Sequence, residues 1–317
     1  MKISREECQA LLWGLPFFLG SLLVFPYALL GDQEFYRNFY SGVVGLSLVE
    51  AFQFYRGALG TSEPGYFLFT FVFAPYFNKD IFFSIVNYVF AYSVFLWLMR
   101  NGVSRWLFPM VYLNFYIVVL AFSAERLKLS LLFFLMGAFS SGLIRYAFYA
   151  FSTLTHVQTL MLVVVAQVRE VLYITRRLFV GRIGFGFISL FLLVLGILLV
   201  LVLLKEHIES KLMFYAGAWG GLEAMLKPLI FTALSVCYAR SRRVEAILAS
   251  IPMVLASYYI GAERVVIFSY FVFMYYGLQI RRGINIPVVF SLLYFGYKGL
   301  GFLVNIFVYS DGFAPVA

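Results

Sequence analysis

Two Glu-Arg dipeptides lie beside long uncharged segments of the chain. Glu125-Arg126 follows 19 uncharged residues, and Glu263-Arg264 precedes 16. Charges at bilayer depth are costly unless they are paired or reach water, so such residues are candidates for function. Arginine stays charged and binds phosphate oxygens with a planar fork of N–H donors. Arg126 and Arg264 are therefore predicted to clamp a diphosphate and stabilise it as a leaving group. The alternative is that each arginine pairs with its own glutamate or with a neighbouring helix.

Two further residues have the chemistry of proton transfer. His156 follows a helix from Arg145 to Thr155 that is too short to span a bilayer, so we expect the chain to break there between two helices. Glu63 directly precedes Pro64, which favours the first position of a helix. We predict His156 and Glu63 as catalytic groups that act on a hydroxyl. The alternatives are a structural histidine at a helix junction and a glutamate that caps a helix.

Composition defines the class of protein. The 317 residues are 63% hydrophobic and 12% charged, whereas soluble domains carry about 25% charged residues. This composition predicts an all-α, polytopic membrane protein with a single integral membrane domain, residues 1–317. Most of the 38 Phe and 23 Tyr are expected to pack in the bilayer or to form belts at its interfaces. Some of them are expected to line a groove in which sugar rings stack on aromatic rings. Two cysteines are too few for a disulfide framework, and no nucleotide-binding or metal-binding motif is present. We predict no metal, no cofactor and no nucleic-acid partner.

The apolar runs predict about 11 transmembrane helices. The first run is read as a spanning helix rather than a cleaved signal. The run 64–78 has 15 residues and is better suited to a short re-entrant helix. The spanning runs are 8–31, 81–99, 106–124, 127–144, 146–155, 157–173, 183–204, 225–240, 244–261, 264–280 and 284–310.

The positions of lysine and arginine predict which side of the membrane each loop faces. Short loops that carry 14 of the 24 basic residues are placed in the cytoplasm, together with the N-terminus, provided that 64–78 does not cross. The opposite face then receives an external loop, 31–63, an external segment, 205–227, and both Glu-Arg dipeptides. Weaker candidates for substrate binding lie on that face: Asp32, Tyr36, Arg37, Glu125, Glu223, Glu263 and Lys298. Glu125 and Glu263 are expected to hold their arginines, or to be incidental, rather than to catalyse.

Five short motifs occur in a characteristic order. They are Gly31-Asp32-x-x-x-Tyr36, Glu63-Pro64-Gly65-Tyr66, Glu125-Arg126, Thr155-His156-x-Gln158, and Arg264 followed by Val-Val-Ile-Phe-Ser-Tyr. With these motifs the chain resembles the EpsG branch of the Wzy-type polysaccharide polymerases between about residues 30 and 280. Of the motifs at Arg126 and His156, only the arginine and the histidine match the family.

The resemblance implies a GT-C-like fold and a metal-independent glycosyltransferase in the bacterial inner membrane. Its active site would face the periplasm or exterior. The enzyme would transfer a growing glycan from undecaprenyl pyrophosphate to the non-reducing end of a lipid-linked repeat unit. Its implied partners are undecaprenyl-pyrophosphate-linked oligosaccharides, membrane lipids and a chain-length regulator.

Other functions remain open from the sequence. A lipid-linked-sugar ligase or another GT-C glycosyltransferase would give a single addition or transfer instead of a ladder of repeats. A lipid-linked oligosaccharide flippase or transporter is the alternative from a different class. Transporters of that kind often contain internal repeats, and none is visible in this sequence. A membrane acyltransferase would also use a histidine and an arginine.

Overall fold

The computed structural model describes residues 4–181 and 221–314, together with scattered positions between 187 and 213. The described residues are 83% helical, and no strand occurs among them, which confirms the all-α class. In chain order the described helices are α1 (Arg5–Val24), α2 (Asp32–Gly42), α3 (Leu48–Leu59), α4 (Pro64–Phe73), α5 (Lys79–Arg100), α6 (Phe108–Tyr112), α7 (Phe115–Phe122), α8 (Glu125–Phe139), α9 (Gly142–Thr155), α10 (Leu160–Phe179), α11 (Leu226–Tyr238), α12 (Arg243–Ile260), α13 (Ala262–Gly277) and α14 (Ile286–Tyr309).

The helices group into two compact units. The first unit contains residues 1–156 and 282–317, and the second contains residues 157–281. The first unit is therefore built from both ends of the chain, with the second inserted between them. The single membrane domain predicted for residues 1–317 stays a prediction.

Five of the described helices are long and apolar enough to cross a membrane, which indicates a membrane protein. A bent pair, Arg105–Tyr112 with Phe115–Phe122, would raise the number to six if the pair forms one span. The predicted run 183–204 lies mostly outside the described residues, and the total of about 11 spans stays a prediction. The five helices are Arg5–Val24, Lys79–Arg100, Val157–Phe179, Arg240–Ile260 and Ile280–Tyr309.

The predicted spanning run 106–124 is divided into two helices in the structure. The two helices of this run meet at an angle of 51°. Asn114 starts the second helix, because its side-chain oxygen accepts a hydrogen bond from the backbone N–H of Tyr116 at 3.1 Å. Gly299 of α14 packs at the same break, where a Cβ atom would overlap the carbonyl oxygen of Leu113. The sequence pattern does not reveal this break, because a single asparagine among apolar residues leaves the run uncharged and its mean hydropathy high.

The segment 31–63, expected as an external loop, is mostly helical. It contains α2 and α3, and α3 begins with a capping box in which Ser47 and Glu50 bond each other's backbone N–H groups. The next helix, α4, has ten residues and is about 15 Å long, half of a hydrocarbon core of about 30 Å. The short helix predicted within 64–78 is thus confirmed, and its re-entrant placement stays a prediction.

In the first unit, α1 packs along α5, α8 along α9, and the start of α4 against the end of α9. The α8–α9 contact is close: Ser130 Oγ donates a hydrogen bond to the carbonyl oxygen of Ser152 at 2.5 Å. In the second unit, α11, α12 and α13 pack together, and α10 packs against α12. These contacts bring three helix ends of the first unit together: the starts of α4 and α8, and the end of α9.

Candidate functional site

One buried carboxylate joins three of the predicted site residues. Arg126 Nη1 lies 2.9 Å from Glu63 Oε2, and His156 Nδ1 lies 3.1 Å from Glu63 Oε1. Thr61 Oγ1 also donates to Glu63 Oε2, at 3.3 Å. Glu63 is 1% exposed, whereas the side chains of Arg126 and His156 are 21% and 16% exposed. The guanidinium and the imidazole therefore cover the carboxylate and form the accessible side of the cluster.

Each of the three residues stands at a helix end. Glu63 occupies the N-cap position of α4, but its side chain makes no capping hydrogen bond and turns instead towards Arg126 and His156. The interpretation of Glu63 as a side-chain cap is therefore wrong. His156 ends α9 in an extended conformation, with φ −156° and ψ 112°, before the short helix Val157–Thr159. The predicted break at His156 is confirmed.

Tyrosines surround the guanidinium. Arg126 Nε donates to the hydroxyl oxygen of Tyr36 at 3.4 Å, and the rings of Tyr36 and Tyr66 lie 5.5 Å apart. Burial raises the pKa of Tyr36 and of Tyr55, so both hydroxyls stay protonated and neutral at physiological pH. In the described contacts, Glu63 is thus the carboxylate that neutralises Arg126. Charge attraction in such a poorly hydrated cluster is stronger than in water.

The neighbouring Glu125 belongs to a separate cluster. Its side chain is fully buried, lies 2.6 Å from Lys79 Nζ, and accepts a hydrogen bond from the Tyr66 hydroxyl at 2.8 Å. Lys79 Nζ also donates to Gln33 Oε1 at 2.7 Å. The expected pairing of Glu125 with Arg126 is therefore wrong. Consecutive helical residues point about 100° apart, so the two side chains enter different surroundings.

Lys128, one helical turn after Glu125, is also fully buried. Its Nζ donates to Asn87 Oδ1 at 2.6 Å and to the carbonyl oxygen of Ala121 at 3.1 Å. The ammonium groups of Lys79 and Lys128 lie near the same two rings, those of Phe25 and Phe83, at 5.1–5.7 Å. These contacts give the buried cations partners that sequence reasoning missed. The sequence did contain a signal for them, because both lysines are charged residues beside apolar runs.

The weaker candidates of the first unit lie in different surroundings. Asp32 is exposed and accepts a hydrogen bond from Ser123 Oγ at 3.4 Å. Arg37 donates to the carbonyl oxygens of Phe25 and Ala28, just beyond the end of α1, and forms an ion pair with Asp80 at 2.8 Å. Those contacts give Arg37 a clear structural role.

Lys298 is exposed on α14, with its ammonium group 5.4 Å from the ring centroid of Tyr294. The remaining candidates belong to the second unit. Glu223 and Glu263 are both exposed. Arg264 lies in the first turn of α13, and its side chain is outside the described residues. Its joint role with Arg126 therefore stays a prediction. Of the predicted external segment 205–227, most positions up to residue 220 also lie outside the described residues.

Arg126 and His156 combine two chemical functions at Glu63, anion binding and proton transfer. A guanidinium binds an anion, and an imidazole that a carboxylate holds through one nitrogen can exchange a proton through the other. Within the part of the chain that the structure describes, no group of three or more His, Cys, Asp or Glu side chains is placed to hold a metal ion.

No family model, no curated protein and no solved structure matches this chain. The fold and the cluster thus define a helical membrane protein in which a buried glutamate is shared by an arginine and a histidine. The resemblance to a polymerase family rests on the five motifs alone.

Proposed function

We propose that the chain is a polysaccharide polymerase of the Wzy type, with Arg126, Glu63 and His156 at its active site. It would transfer a growing glycan from undecaprenyl pyrophosphate to the non-reducing end of a lipid-linked repeat unit. The observation that supports this proposal is the shared carboxylate of Glu63, which brings an anion-binding group and a proton-transfer group to one place. The same three residues belong to three of the five family-like motifs.

Arg126 is assigned to the diphosphate. Its described contacts use Nη1 and Nε, and among the described residues Nη2 has no hydrogen-bonding partner. A guanidinium positioned in this way can donate to a phosphate oxygen while Glu63 fixes its plane. Charge that develops on the departing pyrophosphate is stabilised by such a preorganised cation. Arg264, the other arginine predicted to bind a diphosphate, stays a sequence-based prediction.

His156 is the better candidate for the base that takes the proton of the acceptor hydroxyl. Glu63 is 1% exposed and already interacts with Arg126, His156 and Thr61, so a substrate hydroxyl has little access to it. Because an ionised carboxylate only accepts hydrogen bonds, Nδ1 of the imidazole carries a proton, and Nε2 becomes the accepting nitrogen. Glu63 then orients the imidazole as the carboxylate of a catalytic triad does.

The proposal also covers the topology of the protein in the membrane and its partners. The protein would span the bacterial inner membrane with about 11 helices and one re-entrant helix, α4, in a GT-C-like arrangement. The cluster would face the periplasm or exterior, where lipid-linked oligosaccharides are polymerised. The exposed apolar faces of the spanning helices would hold the polyprenyl tails and membrane lipids, and a separate protein would regulate chain length.

The test compares polysaccharide length in cells that lack the native gene and carry a plasmid copy. The wild-type gene should restore a ladder of repeats, and Arg126→Ala should leave only single repeat units. Arg242→Ala is the matched control, because Arg242 also contacts a glutamate, Glu245, at 3.6 Å and a tyrosine hydroxyl, that of Tyr275, at 3.4 Å. A normal ladder from folded Arg126→Ala protein would exclude the proposed role. A single sugar addition or a transfer to another lipid would identify one of the rival glycosyltransferases.

A further inference from the structure

The start of α4 touches the end of α9 more closely than side chains normally permit. Gly65 is the second residue of α4, and Thr155 is the last residue of α9. A Cβ atom on Gly65 would overlap Thr155 Oγ1 and would lie 2.7 Å from both Cα and N of Thr155. Real Cβ atoms essentially never come this close to backbone atoms, so no residue other than glycine fits at position 65 in this arrangement.

The glycine is needed for space and not for its backbone angles. Gly65 is helical, and it is not among the residues with positive φ. Thr155 is fully buried, and its hydroxyl donates to the carbonyl oxygen of Phe151 at 2.7 Å, which fixes its side chain. An alanine at position 65 would therefore have to move one helix end away from the other.

The two ends of this contact carry the site. Glu63 lies two residues before Gly65, and His156 directly follows Thr155. The 3.1 Å distance between Glu63 Oε1 and His156 Nδ1 spans the same junction. We infer that Gly65 and Thr155 are positioning residues whose backbone contact sets the hydrogen bond between Glu63 and His156. This assignment concerns the geometry of the junction and does not depend on the reaction that the site performs.

The chain offers a matched control for a test by substitution. Gly57 lies inside α3, it is exposed, and a Cβ atom there would meet nothing within 4 Å. Gly65→Ala and Gly57→Ala therefore make the same chemical change at two helical glycines. Position 57 has space for the added methyl group, and position 65 does not. Only the first should separate Glu63 from His156.

The readout is ¹⁵N NMR of the imidazole in purified, detergent-solubilised protein. The chain has two histidines, so His207→Gln leaves His156 as the single histidine signal. In this background the neutral ring should carry its proton on Nδ1, hydrogen-bonded to Glu63, and Glu63→Gln should change that signal. Gly65→Ala should lose the Nδ1-protonated signal, whereas Gly57→Ala should keep it. A parental His156 signal from folded Gly65→Ala protein would overturn the inference.

A double variant covers the case in which Gly65→Ala does not fold. Adding Thr155→Ala removes Oγ1, the nearest atom, but leaves Cα and N at 2.7 Å. The double variant should fold better than Gly65→Ala and still show an altered His156 signal. If it folds and its signal is parental, the backbone contact does not set the hydrogen bond. The NMR signal needs no substrate, so this result is separate from the test of polymerase activity.

Discussion

Glu125 and Arg126 are adjacent in the chain, yet their side chains belong to different ion pairs. Glu125 pairs with Lys79 at 2.6 Å, and Arg126 pairs with Glu63 at 2.9 Å. One turn of α8 therefore contributes an anion to a fully buried cluster and a cation to a partly accessible one. This division gives the two residues separate and measurable roles.

Replacing Arg126 should cost stability as well as function. In Arg126→Ala, Glu63 stays buried and loses the guanidinium that pairs with its carboxylate. Removing one member of a buried ion pair typically costs about 3–5 kcal/mol, and the 21% exposure of Arg126 places the expected loss near or below about 3 kcal/mol. Thermal unfolding in detergent measures this loss.

A double variant separates stability from chemistry. Adding Glu63→Gln to Arg126→Ala removes the uncompensated carboxylate, so we expect the unfolding temperature to recover in part. Polysaccharide length should not recover, because the cation for the diphosphate is still missing. Recovery of both would mean that Arg126 acts only through folding.

His156→Gln should separate catalysis from binding. If His156 transfers the acceptor proton and Arg126 holds the diphosphate, His156→Gln loses about 10²–10⁴-fold in transfer rate while pyrophosphate binding persists. Binding is measured as the rise in unfolding temperature that undecaprenyl pyrophosphate produces, with undecaprenol as the ligand that lacks the diphosphate. Arg126→Ala should lose the difference between the two ligands. Equal loss of binding in both variants would contradict the division of roles.

Glu125→Gln should destabilise the protein strongly. The change leaves Lys79 without its carboxylate and Lys128 in the same apolar surroundings, and we expect a loss of about 3–5 kcal/mol. Glu50→Gln is the control, because Glu50 is exposed in a capping box that glutamine also completes, and its unfolding temperature should stay close to that of the unsubstituted protein. Similar unfolding temperatures for the two variants would show that Glu125 does not form a buried ion pair with Lys79.

Two glycines two residues apart on α14 should respond in opposite directions. Gly299→Ala forces a methyl group into the carbonyl oxygen of Leu113, and overpacking of this kind costs about 1–3 kcal/mol. Gly301 has nothing within 4 Å of its Cβ position, so Gly301→Ala should stabilise the helix by about 0.5–1 kcal/mol. The unfolding temperatures of the two variants check the close packing of α14 on the bend between α6 and α7.

The sequence singled out three residues that the structure brings together, but it did not predict the contacts among them. Residue chemistry selected Arg126, Glu63 and His156 one by one, and helix length located the break at His156. Arg126 and Glu63 are separated by 63 positions in the chain, and His156 and Glu63 by 93. We infer that the hydrogen bond between Glu63 and His156 also depends on the contact between Gly65 and Thr155. No local spacing encodes such a contact.

The errors have the same physical origin. Glu125 was expected either to hold the adjacent Arg126 or to be incidental, whereas its partner in the structure, Lys79, is 46 residues away. The break in the run 106–124 was not predicted, because one asparagine among apolar residues neither adds a charge nor lowers the mean hydropathy of the run enough to divide it. Tertiary contacts decided both cases.

The first unit is closed by its last helix, and this has a consequence for the order of assembly. The backbone N–H groups of Leu29 and Leu30 donate to the carbonyl oxygen of Ser310, and α14 packs on α7, the helix directly before Glu125. During synthesis, residues 157–281 emerge before α14 does. The contacts that α14 makes with residues 29 and 30 and with α7 can therefore form only after residues 157–281 have been synthesised. A ribosome-stalled chain that ends before residue 286 should be far more sensitive to protease within residues 25–125 than the released protein.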